Sequence, residues 1–149
     1  MNDPATARRM EQRIKTYVKA LNNADDDGIA ACFCADAVHY FANIPKISGA
    51  ATLATHFADS VRAGDISWTV DQMVIDVDRC EAVLEWTRFD PKNSRHIRGM
   101  DWFVFEPETF RFREVRCYGG RGSPDPERQE LQGFDYSGRG YPLKPRPVD

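Results

Sequence analysis

The sequence predicts an α+β fold, helices first and sheet afterwards, on three observations. Apolar residues recur at three- and four-residue steps as far as Ala63. Beyond Gly64 they alternate with polar residues instead, and the alternating segments are joined by short connectors made of turn residues. With 149 residues the chain is most simply one domain, long enough to bury a real core.

From Thr6 to Leu21 the residues Met10, Ile14, Tyr17, Val18 and Leu21 form one buried stripe, the pattern of an amphipathic helix. Asn22 and Asn23 end it. The run Asp25-Asp26-Asp27 supplies a cap and first turn for a short helix through Phe33, because carboxylates favour the positive helix end. Ala37–Ala42 has strand character and stops at Asn43-Ile44-Pro45. It places His39 and Tyr40 on opposite faces, so one of them points inward. A third helix opens at Ser48 or Gly49 and runs to Ala63, with Ala50, Leu53, Ala54, Phe57 and Val61 buried. His56 and Asp59 lie nearer its border, His56 as a solvated residue.

Four strands follow, at about Ser67–Val77, Cys80–Asp90, Arg95–Glu106 and Phe110–Tyr118, an antiparallel meander of hairpins. Pairing Val77 with Cys80, Asp90 with Arg95 and Phe103 with Arg113 puts Asp71, Met73, Ile75, Leu84, Trp86, Arg88, Ile97, Gly99, Asp101, Phe103, Val115 and Cys117 on one face. The opposite face holds Glu85, Met100, Trp102, Glu114, Arg116 and Tyr118. That mixture of aromatic and charged groups predicts a homodimer formed through the sheet.

The domain so outlined covers residues 1–118. From Gly119 to Asp149 the composition changes, with six of the ten glycines and five of the nine prolines. No regular core element is expected there. Leu131, Phe134, Tyr136, Tyr141 and Leu143 nevertheless give more apolar content than a free tail carries, so an ordered arm is expected, packed over the pocket mouth or onto a partner subunit.

Composition excludes several classes of function. The net charge is −3 and no basic stripe is interleaved with aromatics, so nucleic acid is not an expected partner. Neither a membrane span nor a signal peptide is legible, which predicts a cytoplasmic protein. Cys32, Cys34, Cys80 and Cys117 lack zinc-site spacing, and His39, His56 and His96 are scattered, so no metal is expected. Phosphate-binding glycine loops and a GxSxG elbow are missing too, and no cofactor is expected.

Asp101 stands out. Strand parity sets it beside Ile97, Gly99, Phe103 and Phe105, where lost hydration raises a carboxyl pKa toward neutrality. The residue can therefore serve in acid/base work or in orienting a ligand, or it can be a rim aspartate satisfied by an arginine. His39 is either its proton partner or a hydrogen-bonded core histidine. Arg88 is a clamp for a substrate oxyanion or a rim ion pair. Trp86 reads as pocket wall, and Cys117, with no evident cationic neighbour, as an inert thiol.

The segments Ile97-Arg-Gly-Met-Asp-Trp-Phe-Val-Phe105 and Phe112-Arg-Glu-Val-Arg-Cys-Tyr118, in this order of elements, resemble the SnoaL-like branch of the nuclear transport factor 2-like superfamily over about residues 8–118. The resemblance implies a cystatin-like fold, a curved antiparallel sheet wrapped round the N-terminal helices to leave a conical pocket. It also implies that Asp101 faces that pocket as acid/base. Epoxide hydrolases of this fold carry an Arg-x-Asp that looks like Arg88-Phe-Asp90. Their second aspartate, however, matches Cys117, which counts against epoxide hydrolysis. The expected function is a cofactor-independent acid/base enzyme acting on a small, largely apolar or polycyclic metabolite, of isomerase, cyclase, dehydratase or hydrolase type. Asp101 and His39 are the catalytic candidates, with His39 or Tyr40 as proton partner or oxyanion donor. Tyr40, Phe57, Met73, Trp86, Arg88, Phe103 and Cys117 are the candidates for binding substrate. The alternative is a non-catalytic small-ligand-binding or dimerisation module.

Overall fold

A computed structural model describes residues 3–119 and 130–149. The first two helices begin at side-chain caps. The Asp3 carboxylate accepts from the backbone N–H groups of Ala5 and Thr6 at the start of α1 (Pro4–Asn22). Asp25 accepts from the Gly28 N–H at the start of α2 (Asp26–Ala31), so the aspartate run caps a helix. The expected stripe of α1 is buried, and α3 (Ala50–Gly64) buries Leu53, Ala54, Phe57, Ala58 and Val61.

The strands β1 (Phe33–Tyr40), β2 (Ile47–Ser48), β3 (Ser67–Asp76), β4 (Glu81–Asp90), β5 (Arg95–Phe105) and β6 (Phe112–Gly119) form one sheet in the order β2-β1-β6-β5-β4-β3. The three hairpins of the expected meander are present. Two features differ from the sequence reading. β1 runs parallel to β6, so the sheet is mixed rather than wholly antiparallel. The chain passes through α3 and the meander before its last strand meets its first, a long-range closure that local periodicity does not encode. β1 also starts at Phe33 rather than Ala37, because the Phe33 ring joins Tyr17 and Phe112 in an edge-to-face cluster.

Register decides which side chains enter the hollow of the sheet. The β4–β5 pairing is as expected, Asp90 opposite Arg95. Between β5 and β6, Phe103 lies opposite Val115 and not Arg113, with an irregularity next to Phe105 and Phe110 in the left-handed region at φ 54°. That slip is of two residues, so it preserves the faces. In β3 a bulge at Asp71 does exchange them. Trp68 and Val70 turn inward opposite Arg88 and Trp86, while Asp71 turns outward to accept from the Thr69 and Thr87 hydroxyls at 2.6 Å each. Asp71 therefore leaves the inner face to which simple alternation assigned it.

The outer face carries the C-terminal arm. Arg98, buried in mid-strand, needs more acceptors than the sheet alone supplies. It donates from Nε to Glu130 at 2.6 Å, from Nη1 to Thr87 Oγ1 at 2.8 Å and from Nη2 to the Pro142 carbonyl at 3.1 Å, beneath the ring of Tyr136 at 4.4 Å. The Tyr141 hydroxyl donates to Glu85, and Arg146 lies 3.6 Å from Asp71. The arm was expected over the pocket mouth or on a partner subunit. Glu130, Tyr136, Tyr141 and Pro142 instead hold it on the outer face of its own sheet, part of the face expected to meet a second copy, and residues 146–149 continue to a groove beside α1. The arm's first portion, residues 120–129, lies outside the described residues.

Asn22, expected only to stop α1, also ties that helix to β3. Its side chain donates to the Trp68 carbonyl and accepts from the Trp68 N–H, both at 2.8 Å. Replacing Asn22 by Ala strands both backbone groups in a half-buried place. We expect Asn22→Ala to lower unfolding stability by about 1–3 kcal/mol, read from urea titration, whereas an unchanged midpoint would show that water replaces the side chain freely.

Candidate functional site

Between α1, α3 and the inner face of the sheet lies a cavity of about 210 Å³. The sheet builds its wall in rungs. The deepest inward residues, Phe112 and Phe105, are paired and fully buried, and the next rung sets Val115 against Phe103 and Ala82. Above it come Cys117, Asp101 and Leu84, and then Gly99 opposite Trp86. Asp101 is thus the first polar group above a phenylalanine floor, 8% exposed. Gly99 is required at its position, because an added Cβ would lie 2.6 Å from the Trp86 ring. The indole lies across the strand at the point where a side chain would otherwise stand.

Burial is the dominant influence on Asp101 and pushes its carboxyl up to about 6, with the Trp86 indole N–H and the Cys117 thiol pulling partly back. Burial and the neighbouring carboxyl together push the Cys117 thiol far above its ordinary range, so it stays protonated. His39 is lowered to about 3, chiefly by burial, and is a neutral imidazole near pH 7. It stacks on Phe41 at 4.2 Å between ring centroids and sits 5.4 Å from Phe57.

Asp101 Oδ1, Trp86 Nε1 and His39 Nδ1 are buried and make no hydrogen bond of good geometry among the described residues. The Trp86 indole and the Cys117 thiol nevertheless act on the Asp101 carboxyl as hydrogen-bond donors. Buried polar atoms are nearly always satisfied. All three of these atoms belong to residues that line one largely apolar hollow.

Of the residues singled out from sequence, Asp101, His39, Phe57, Trp86, Arg88 and Cys117 line this cavity. Tyr40, Met73 and Phe103 do not. Tyr40 is on the outward side of β1 and 39% exposed. Met73 faces a groove between α1 and the chain's C-terminal residues. Phe103 lies beneath the cavity floor, sealed against Tyr17 and Phe112. His39 and Asp101 share the cavity, but no hydrogen bond joins them, since β6 separates their strands. Arg88 has its guanidinium 5.9 Å from the Trp68 ring centroid. Asp90 of the Arg-x-Asp pattern stays in the β4–β5 hairpin, accepting from Asn93 at 2.9 Å and facing Arg95.

Several lining residues escaped the sequence reading, Phe41, Trp68 and His56 among them. Trp68 was hidden by the β3 bulge, which reverses strand parity on its side of Asp71. His56, expected in solvent, lines the cavity beside Phe41 and Phe57, and burial lowers its pKa. Its position at the stripe's border was the available signal. Among the described residues no three metal-ligating side chains are grouped to hold an ion, and no helix is long and apolar enough to cross a membrane.

A family model described as SnoaL-like domain matches residues 14–111. The chain belongs to the SnoaL-like family. This SnoaL-like chain is 36% identical to a protein of unknown function with a cystatin-like fold from Methylobium petroleophilum PM1, over 93% of this chain and 94% of that one, with TM-score 0.74. It shares its fold with a protein described as a candidate polyketide cyclase from Sinorhizobium meliloti (13% identity, 71% and 93% covered, TM-score 0.62). It also shares the fold of the epoxide hydrolase/cyclase-like enzyme SalBIII of pyran ring formation in the polyether salinomycin (18% identity, 74% and 90% covered, TM-score 0.62). No curated protein matches the sequence.

Two buried titrating groups of this SnoaL-like protein, Asp101 and His39, act oppositely on stability. Folding raises Asp101 from 3.8 to about 6, so its ionisation weakens the fold as pH climbs between those values, by about 3 kcal/mol in all. Folding lowers His39 from 6.5 to about 3, so its contribution is lost as pH falls through that window. In Asp101→Asn the slope due to this carboxyl is removed and those of the other groups remain. The stability of the variant relative to the parent should therefore rise from pH 4 to pH 6 and then level off, measured as urea midpoints at each pH. A difference that is constant across that range would remove Asp101 from the buried, titrating position.

Proposed function

We propose that this SnoaL-like protein is a cytoplasmic, cofactor-independent acid/base enzyme that moves a proton beside a carbonyl group of a small, largely apolar metabolite, as in isomerisation, cyclisation or dehydration. One observation carries this reading. A carboxyl group held where it exchanges protons near neutral pH stands in the wall of a largely aromatic cavity.

Asp101 is the base in its ionised form and the acid once it has taken the proton. Phe41, Phe57, Trp68 and Trp86 exclude water and hold the hydrocarbon part of the substrate. Arg88 meets any negatively charged group at the opposite end from the phenylalanine floor. A homodimer through the sheet would use the part of the outer face around Tyr118 and Val74, which stay exposed.

Proton abstraction can be read without knowing the natural substrate. Small cyclic ketones and enones are incubated with the protein in D2O, and loss of the α-proton signal is followed by NMR. The exchange rate should rise with pH through about 6 and then level, as Asp101 ionises. Asp101→Asn should lower it by about 10²–10⁴-fold while remaining folded. Full exchange in that variant removes Asp101 as the base, and the absence of protein-dependent exchange with every ketone that binds favours a ligand-binding module.

A further inference from the structure

The inward rungs of β4 and β5 set two charged side chains at opposite ends of one cavity. Asp101 lies opposite Leu84, Gly99 opposite Trp86 and Ile97 opposite Arg88. Arg88 therefore stands four residues along the strand from the Asp101 rung, roughly 13 Å between backbone positions at about 3.3 Å per residue. Between them the lining is apolar, drawn from Trp86, Ile97, Phe57 and Trp68. A hollow that is apolar in the middle and charged at both ends orients a ligand that carries a charge of its own.

We propose that Arg88 binds a carboxylate, and that the substrate of this site is an amphipathic keto acid whose apolar body lies along Trp86 and Trp68 with its ketone toward Asp101. This deepens the acid/base reading above and rests on it for the fate of the ketone. Among the described residues that line the cavity, Arg88 is the side chain that stays cationic at neutral pH, because burial holds both His39 and His56 below the ordinary histidine value. Its planar fork of N–H donors matches the two oxygens of a carboxylate. Trp68 stands opposite Arg88 in the β3–β4 ladder, with its ring centroid 5.9 Å from the guanidinium carbon. The indole covers one side of the cation with apolar surface, and an ion pair made there is screened less than one in open water.

The protein's own acids fit this assignment. Asp90, two residues along, lies in the field of Arg88, but it is also 3.5 Å from Arg95 and accepts from Asn93 at 2.9 Å. Five donors on one guanidinium allow Arg88 to serve Asp90 and a ligand together. On α3, Asp59 is exposed and paired with Arg62 at 3.1 Å. The charge of the ligand follows from the same groups. Asp101 is anionic once ionised, so the anionic end of the ligand lies away from it, at Arg88. A single guanidinium balances a monoanion, whereas a dianion such as a phosphate monoester would bring uncompensated charge into a half-buried place.

The test uses the full-length protein with 5-oxo-5-phenylpentanoate, 7-oxo-7-phenylheptanoate, the primary amide of each, and acetophenone, which lacks the tail. The two chain lengths span the reach of an arginine side chain. At neutral pH at least one acid should bind about 10–100-fold more tightly than its amide by calorimetry, and added salt should narrow the gap. In Arg88→Met, which keeps the stem and loses the charge, acid and amide should bind alike and acetophenone as in the parent. Arg88→Lys keeps a charge without the fork and should retain part of the preference, so the outcome does not hang on one variant folding. Arg79→Met, in the exposed turn between β3 and β4, should change nothing. In D2O, Arg88→Met should raise KM for α-proton exchange of the acid with kcat little changed, as expected for a group that binds substrate without touching the reacting atoms.

No binding of either acid, equal binding of acid and amide by the parent, or a preference that survives in Arg88→Met overturns the proposal. Equal weakening of every ligand in Arg88→Met, acetophenone included, overturns it too, since that marks a structural arginine. If Asp101→Asn abolishes exchange while acids and amides bind alike, only this proposal fails. If acids bind through Arg88 and Asp101→Asn exchanges them normally, the carboxylate site stands and the acid/base reading fails.

Discussion

The carboxyl group of Asp101 is fixed to a strand whose next inward residue is Phe103, and the surrounding walls are aromatic rings from the helices, β1 and the neighbouring strands. The fold thus holds in a water-poor hollow a group that water would otherwise ionise well below neutral pH. That placement costs stability whenever the group is charged. The rest of the molecule supplies the packing that tolerates it, above all the sealed aromatic cluster of Tyr17, Phe33, Phe103, Phe105 and Phe112.

Strand alternation makes the two faces of β5 answer different demands. Ile97, Asp101 and Phe103 point into the hollow, while Arg98 points out and is gripped by Thr87, Glu130 and the Pro142 carbonyl. The C-terminal arm is therefore tied to the strand that carries the candidate base, from the side opposite the cavity. The Asp71 bulge serves both faces at once. It sends a carboxylate outward to two threonine hydroxyls and Arg146, and it brings the Trp68 ring inward.

Much of this was legible in the chain itself. The helices, the meander and the inward placement of Asp101 follow from periodicity, and the last survived a misjudged β5–β6 register because an even slip keeps every side chain on its face. The misses share a physical origin in interactions distant in sequence. A one-residue bulge inverted Trp68 and Asp71. The parallel pairing of β1 with β6 depends on how the whole chain closes. The arm's seat depends in part on what the buried Arg98 requires, and two of that residue's partners lie more than thirty residues further along.

The most direct test is a titration of the Asp101 carboxyl carbon in the unliganded protein, followed by ¹³C NMR with Asp101→Asn to assign the signal. A midpoint near 6 is expected for a carboxyl group held in an apolar hollow. A midpoint at the ordinary value of 3.8 would mean that water reaches it freely, and the site would lose the property on which its chemistry rests.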